Sequence, residues 1–356
     1  MITHDRRIER APSTGAVSPA ARYSCDFIYP TLRQALYRYL AQSPPARVLL
    51  PDYVPEGIYA PVKALGAATG FYHVPVDLRL RKDELAATMR AMKPDVVVLI
   101  HYFGAYIEEN VTLLRELAGS DTLLVEDFAH TVHETRLALR GDICLFSHTK
   151  VLGVAEGGGL VFANPNARRE PDYSPDTPGD RTLKRLLGRQ LLLEHLMATR
   201  VRGRHMQALL FRAMRPFAAY YPFLCDAFTT LSAPVSGRWS NMLKRIDLDA
   251  IAEKRRALAR RYVENLRDDL CLPVARGSLL RNTLYGFPVR VHMPEAFHSY
   301  LVHRGVRGQV LCDRWWFDSG HEPSELYRTH YLLPVNHHLS ASQVDEVIAV
   351  VNSFGR

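Results

Sequence analysis

The chain has 356 residues, of which 47% are hydrophobic and 23% are charged. This composition excludes a largely disordered protein, and the length is typical of one large domain joined to a smaller one. The formal net charge of +8 admits nucleic acid, anionic lipid or a phosphorylated small molecule as a partner, but no recognisable nucleic-acid-binding motif accompanies the charge.

Apolar runs in the chain are shorter than the roughly 20 residues of a membrane span, and the polar residues 1–22 lack the apolar centre of a signal peptide. The five cysteines are scattered and form no CxxC pair, which argues against a disulfide framework and against a zinc site. We therefore expect a cytoplasmic protein with no metal site.

Short apolar runs alternate with helical patterns through the first half of the chain. Strands are predicted at 47–51, 71–77, 96–101, 122–127, 142–146 and 159–163, and helices at 32–42, 55–65, 82–92 and 108–118. Such alternation predicts an α/β fold with a mainly parallel sheet covered by helices on both faces.

The pattern changes after Asn164, where a proline-rich loop leads into a basic helical insert at about 181–232. A long helix at 248–266 and a closing helix at 340–354 enclose strand-like segments, which predicts a small α+β domain. The predicted organisation is a flexible arm at 1–22, a large domain at 23–235 and a small C-terminal domain at 236–356.

Polar residues stand at the ends of two predicted strands and before the first predicted helix. Asp127 ends the strand at 122–127, and Ser147 and Lys150 follow the strand at 142–146. Thr31 precedes the first helix, where its hydroxyl and the free helix N–H groups would face a phosphate. Ligands of open α/β sheets bind beyond the carboxyl ends of strands. Each residue alone has an ordinary explanation, as a solvated lysine, a capping carboxylate or a helix N-cap.

Together, these residues meet the requirements of pyridoxal phosphate (PLP). That cofactor needs a lysine to hold its aldehyde as an imine and shuttle a proton, a carboxylate to keep the pyridine nitrogen protonated, and an anion site for its phosphate. Lys150, Asp127 and Thr31 supply these three parts. The glycines of AEGGGLVF (155–162) would let the backbone approach the cofactor, or form a tight turn into the next strand.

Two motifs carry a resemblance to a known family. EDFAH (126–130) and GDICLFSHTKVLGVAEGGG (141–159) resemble the motifs of the DegT/DnrJ/StrS sugar aminotransferases, whose fold is fold type I of PLP enzymes. The resemblance implies that Asp127 binds the pyridine nitrogen, that Ala129 lies against the ring and that His130 lies near the phenolic oxygen. It also implies that Lys150 forms the imine. The tail at 332–351 is similar to the end of the family's sequences.

The predicted phosphate site departs from the family pattern. Ser147 precedes Lys150 by three residues, which is closer than in a typical sugar aminotransferase, and it is still predicted to bind the phosphate. Thr31, Leu32 and Arg33 stand where the family usually has Ser-Gly-Thr. Arg33 is therefore expected to supply charge in place of glycine backbone.

Two further departures concern the ring and the subunit interface. Pro55 stands where the family usually has an aromatic residue over the cofactor ring, so Tyr53 or a neighbour is expected to stack on the ring instead. Ser236 stands at the family's cross-subunit asparagine. The resemblance also implies a homodimer, because fold type I sites usually form between two subunits.

The predicted function is a PLP-dependent aminotransferase that works by a ping-pong mechanism. An amino acid such as glutamate would donate the amino group, and a keto sugar nucleotide or similar carbonyl would accept it. The alternative is a binding or scaffold protein whose Arg-rich segment at 181–217 lies on a membrane or a partner. The favoured interpretation of that segment is a helical cover or a dimer contact whose arginines are solvated.

Overall fold

The computed structural model describes residues 2–3, 7, 9, 25–134, 136–199, 227–274, 276–281, 283–309, 315–316 and 325–355. The predicted arm at 1–22 lies outside these residues except for 2–3, 7 and 9. The part of the predicted basic insert at 200–226 also lies outside them.

The strands of the described residues are numbered in chain order. They are β1 (Ile2–Thr3), β2 (Phe27–Tyr29), β3 (Arg47–Pro51), β4 (Val54–Pro55), β5 (Ala68–Tyr72), β6 (Val96–Ile100), β7 (Leu123–Asp127), β8 (Ile143–Ser147), β9 (Gly158–Phe162), β10 (Gly286–Arg290), β11 (Val306–Arg307), β12 (Trp315–Trp316) and β13 (His330–Pro334).

The helices follow the same convention. They are α1 (Leu32–Ala41), α2 (Glu56–Ala64), α3 (Lys82–Met92), α4 (Glu108–Ala118), α5 (His148–Val151), α6 (Pro178–Thr199), α7 (Gly237–Leu243), α8 (Leu248–Asn265), α9 (Arg276–Arg281), α10 (Pro294–His303), α11 (Glu325–Thr329) and α12 (Ala341–Asn352).

The main sheet has seven strands in the order β2-β9-β8-β7-β6-β3-β5. The five strands from β5 to β8 run parallel to one another, and β9 is antiparallel to both of its neighbours. β6 (VVVLI) and β8 (ICLFS) are buried at every position, as expected for strands covered on both faces. The predicted mainly parallel α/β fold is confirmed.

The predicted strand at 71–77 was placed too far along the chain. β5 pairs with β3 from Arg47↔Ala68 to Pro51↔Tyr72, so both strands end together. The chain then leaves the sheet because His73 Nδ1 and the Val74 N–H contact the Asp52 carboxylate at 2.7 and 3.0 Å. Alternating apolar residues continued past this point and suggested a longer strand.

The C-terminal part of the chain packs onto the same hydrophobic cluster as the sheet. β10 pairs antiparallel with β13, and α8 packs against α12. Tyr262 of α8 is fully buried, and its hydroxyl donates to the Pro334 carbonyl at 2.9 Å. The predicted α+β elements are present here, whereas the domain boundary at residue 236 stays a prediction. No helix among the described residues combines the length and apolarity that crossing a membrane requires.

One buried arginine connects this C-terminal part to the main sheet. Arg255 of α8 donates from its guanidinium to the Leu284 carbonyl and to the Val151 carbonyl, each at 2.8 Å. Val151 ends α5. The α8 helix is therefore bonded directly to the segment that follows β8.

Candidate active site

Two neighbouring strands place the predicted carboxylate and lysine at one edge of the sheet. Asp127 is the last residue of β7, and Ser147 is the last residue of β8. These strands are parallel with Asp127 opposite Leu145, so their carboxyl ends lie side by side. Lys150 follows in the short helix α5, within one turn of the strand end.

The Lys150 side chain is half-buried, and its amine lies against His130. Its Nζ is 3.2 Å from His130 Nε2, and His130 Nδ1 accepts a hydrogen bond from the Phe103 N–H at 3.3 Å. A neutral His130 with Nδ1 as acceptor carries its proton on Nε2 and donates it. The arrangement thus suits an uncharged amine at Lys150, which is the form that attacks an aldehyde.

Asp127 is a buried carboxylate, with 3% of its surface exposed. Burial raises its pKa above the usual range, although a protonated Lys150, the Ala129 N–H and His101 act in the opposite direction. The Ala129 N–H donates to Asp127 Oδ1 at 2.7 Å. A cationic ring nitrogen beside this carboxylate would offset the cost of burying its charge.

A second buried acid lies behind Asp127. His101 Nε2 is 2.9 Å from Glu126 Oε2, and the N–H groups of Arg140 and Gly141 donate to Glu126 Oε1. The His101 ring also stacks on Phe128 with centroids 4.2 Å apart. These contacts fix the backbone on both sides of Asp127.

The start of α1 reaches the same edge through a close backbone contact. A Cβ on Gly158 would lie 1.9 Å from the Leu32 nitrogen and 2.0 Å from the Thr31 carbonyl carbon, so only glycine fits. Gly158 pairs with Ser147 across β9 and β8. The structure therefore brings Thr31, Leu32 and Ser147 together, as the predicted phosphate site requires.

Thr31 also has a structural function at this point. Its Oγ1 accepts from the Gln34 N–H at 3.3 Å, and the Gln34 side chain accepts from the Thr31 N–H at 3.2 Å, which together form a capping box. Ser147 Oγ lies 3.3 Å from Thr149 Oγ1. Thr149 is thus a further hydroxyl of this site that sequence reasoning did not select.

Arg33, predicted to bind the phosphate, and Tyr53, predicted to stack on the cofactor ring, both contact other protein side chains. The Arg33 guanidinium is 3.9 Å from Glu56 at the start of α2 and lies over the Phe228 ring. Tyr53 is fully buried and stacks on Tyr102 with centroids 5.3 Å apart. Phosphate binding by Arg33 and ring stacking by Tyr53 stay predictions that these contacts do not support.

A cavity of about 380 Å³ opens beside the lysine. Its polar lining includes Lys150, Thr149, Tyr285, Glu194 of α6 and Arg307 of β11. The Tyr285 ring stacks on His130 with centroids 5.2 Å apart. The described part of the basic segment, α6, therefore covers the site with polar side chains.

Solved structures of other proteins share this architecture. A DegT DnrJ EryC1 StrS aminotransferase from Brucella abortus aligns with a TM-score of 0.62 at 16% identity, covering 93% of this chain and 86% of the other. The sugar aminotransferase CalS13 from Micromonospora echinospora gives 0.57 at 18%, covering 90% and 85%. The chain has the fold of sugar aminotransferases.

A third structure of the same fold is the PLP form of a protein from Streptococcus pneumoniae that is described provisionally as a sugar aminotransferase. Its TM-score is 0.62 at 15% identity, covering 92% of this chain and 86% of the other. No protein-family model matches the sequence, and no curated protein is significantly similar to it. At these identities the likeness establishes the fold.

A buried carboxylate, Glu156 of the AEGGG motif, makes a contact that sequence reasoning did not identify. Glu156 is 2% exposed and accepts from the Ser236 N–H at 2.7 Å and from Ser236 Oγ at 2.9 Å. Burial nevertheless raises the pKa of Glu156. Ser236, the position expected to correspond to a cross-subunit asparagine, thus holds a carboxylate of its own chain.

Proposed function

We propose that this protein is a PLP-dependent aminotransferase of the DegT/DnrJ/StrS family. It transfers an amino group from an amino acid such as glutamate to a keto sugar nucleotide or a similar carbonyl compound. The observation that carries the proposal is the contact of Lys150 Nζ with His130 Nε2 at 3.2 Å, on the sheet edge where Asp127 is buried.

The residues at this edge fit the cofactor. Asp127 would hold the ring nitrogen, because a cation there lowers the cost of its burial. The start of α1 and Ser147, joined through Gly158, would hold the phosphate by backbone N–H groups and hydroxyls. Lys150 would carry the cofactor through its Nζ. When bound, PLP supplies an electron sink and a carrier for the amino group.

The protein's own residues then have distinct tasks. Lys150 moves a proton at the substrate carbon that gains or loses the amino group. Asp127 keeps the proton on the ring nitrogen, and its burial strengthens that interaction. His130 orients the Lys150 amine, and the resemblance gives it a further contact with the phenolic oxygen. Ala129 leaves space for the ring.

The acceptor and the assembly are proposed on separate grounds. Sugar aminotransferase is the description of several proteins with this fold, which favours a sugar nucleotide acceptor in sugar, polysaccharide or secondary-metabolite biosynthesis. We propose a homodimer from the resemblance to fold type I enzymes. We also propose a cytoplasmic location, since five scattered cysteines with no CxxC pair suit a reducing compartment.

The test is the visible spectrum of the purified protein before and after borohydride. A reducible visible band is expected in the wild type and in the surface control Lys82→Ala, and Lys150→Ala should lack it. Overnight incubation with glutamate should convert the wild-type band without added acceptor. A band that resists reduction, or a Lys150→Ala protein with an unchanged spectrum, contradicts the proposal.

A further inference from the structure

We propose a divalent metal site of the Zn²⁺ class formed by Glu9, His337 and His338. The site is separate from the Lys150 cavity in its residues and does not depend on the aminotransferase proposal. One carboxylate oxygen and one nitrogen from each imidazole lie within 4.8 Å of one another. Two histidines and one glutamate form a common donor set for zinc with one coordination position left open.

The spacing of the donor atoms fits a metal ion. Glu9 Oε1 is 2.8 Å from His337 Nε2 and 3.4 Å from His338 Nε2. Zinc bonds of about 2.0–2.1 Å in a tetrahedral arrangement separate neighbouring donors by roughly 3.3 Å. The Glu9 Oε1–His338 Nε2 pair is already close to this separation, and the Glu9 Oε1–His337 Nε2 pair is about half an ångström shorter.

Hydrogen bonding accounts for only part of the cluster. The contact between His337 and Glu9 has the geometry of a hydrogen bond. His338 Nε2, in contrast, is buried at 3.4 Å from the same oxygen and has no hydrogen-bond partner among the described residues. A buried nitrogen that faces a carboxylate without a hydrogen bond is in the position of a metal ligand.

The surroundings also limit how tightly a cation would bind. The Gly153 N–H donates to Glu9 Oε1 at 3.1 Å, so this oxygen would be shared between that hydrogen bond and the ion. The Arg255 guanidinium lies close enough to interact electrostatically with Glu9 and His337, and its charge opposes a second cation. A soft, imidazole-preferring ion such as Zn²⁺ is therefore favoured over Mg²⁺ or Ca²⁺, which depend on several charged oxygens.

Metal binding would hold parts of the chain that are distant in sequence against the segment that follows Lys150. Glu9 is 328 residues from His337, and its backbone N–H donates to the Gly153 carbonyl at 3.1 Å. Gly153 follows Lys150 by three residues. An occupied site would thus hold the N-terminal segment and the segment after β13 against the segment that follows α5.

The test is a Zn²⁺ titration of the full-length protein that has been freed of metal by dialysis against a chelator, followed by measurement of its metal content. We expect one Zn²⁺ per chain in the wild type and in the control His303→Ala, whose histidine lies on an exposed turn of α10. His338→Ala should weaken Zn²⁺ affinity by more than the roughly 10–100-fold that changes in outer-shell partners cost. Glu9→Gln, which keeps a hydrogen-bonding oxygen but removes the charge, should also weaken it.

Circular dichroism of the zinc-free proteins checks that each variant is folded. Zn²⁺ should raise the melting temperature of the wild type and of His303→Ala, and leave that of His338→Ala unchanged. Absence of stoichiometric Zn²⁺ binding in the wild type overturns the proposal, as does equal binding by the wild type and His338→Ala. Both readouts are independent of PLP and of transamination.

Discussion

Replacing Gly158 by alanine tests how closely the two halves of the proposed cofactor site are joined. The added Cβ would lie 1.9 Å from the Leu32 nitrogen and 2.0 Å from the Thr31 carbonyl carbon, whereas ordinary contacts begin at about 3.4 Å. The start of α1 would have to retreat by roughly 1.5 Å, the difference between 3.4 and 1.9 Å. Both opposing atoms belong to the backbone of a capped helix, so no side-chain rotation relieves the clash.

The expected cost follows from this geometry. Overpacking usually costs about 1–3 kcal/mol, and a backbone clash belongs at the upper end, near 3 kcal/mol. An unfolding entropy of about 2.1 cal/mol/K per residue over 356 residues is roughly 0.75 kcal/mol/K. The melting temperature should therefore fall by about 4 °C. The affinity for PLP should fall as well, because Thr31 and Leu32 move away from Ser147.

The matched control is Gly188→Ala in the interior of α6, where an added Cβ meets nothing within 4 Å. Alanine in a helix is favoured over glycine by about 0.5–1 kcal/mol, so this variant should melt at or above the wild-type temperature. Thermal unfolding followed by circular dichroism and PLP titration followed by absorbance measure the two effects. A Gly158→Ala protein with wild-type stability and wild-type PLP affinity would refute the reasoning.

Three further outcomes are expected. Asp127→Asn should stabilise the cofactor-free protein at neutral pH, because burial raises the Asp127 pKa and the carboxylate is costly to bury. Its transamination rate should nevertheless fall by roughly 100-fold or more. Melting temperatures and steady-state rates measure these two effects, and an Asp127→Asn protein that is less stable than the wild type contradicts the expected stabilisation. Ser236→Ala removes a donor to buried Glu156 and should cost about 1–3 kcal/mol in denaturant unfolding, whereas adding Glu156→Gln should restore part of it. Burial lowers the pKa of His148 from 6.5 to about 3, so the unfolded chain takes up a proton first and the free energy of unfolding falls as the pH drops from about 6.5 towards 3. His148→Phe should reduce the slope of unfolding free energy against pH by up to about 1.4 kcal/mol per pH unit. The exposed control His303→Phe should leave this slope unchanged.

Local patterns in the sequence predicted most of the sheet. The runs that became β3, β6, β7 and β8 are apolar and bounded by polar residues, so their limits could be placed to within one residue. β2 (Phe27–Tyr29) was not predicted. β5 was placed too far along the chain, because its end is set by hydrogen bonds to Asp52, which lies on another loop. A contact of that kind leaves no trace in the local pattern.

The same distinction applies to the candidate site. Asp127, Ser147 and Lys150 could be selected because neighbouring parallel strands bring their carboxyl ends together. Tyr285 and Arg307 could not, because they reach the cavity from the C-terminal part of the chain. The surroundings of Tyr53 were equally beyond prediction, since its neighbours Tyr102 and His330 are 49 and 277 residues away.

The two carbonyls bonded by Arg255 constrain how the molecule can open. Its guanidinium joins α8 to the residue that ends the lysine-bearing helix and to the strand region next to Tyr285. A hinge motion of the C-terminal elements away from Lys150 would break the bond to the Val151 carbonyl and leave a buried guanidinium with one acceptor fewer. The C-terminal elements and the lysine-bearing segment are therefore expected to move together when substrate enters the cavity.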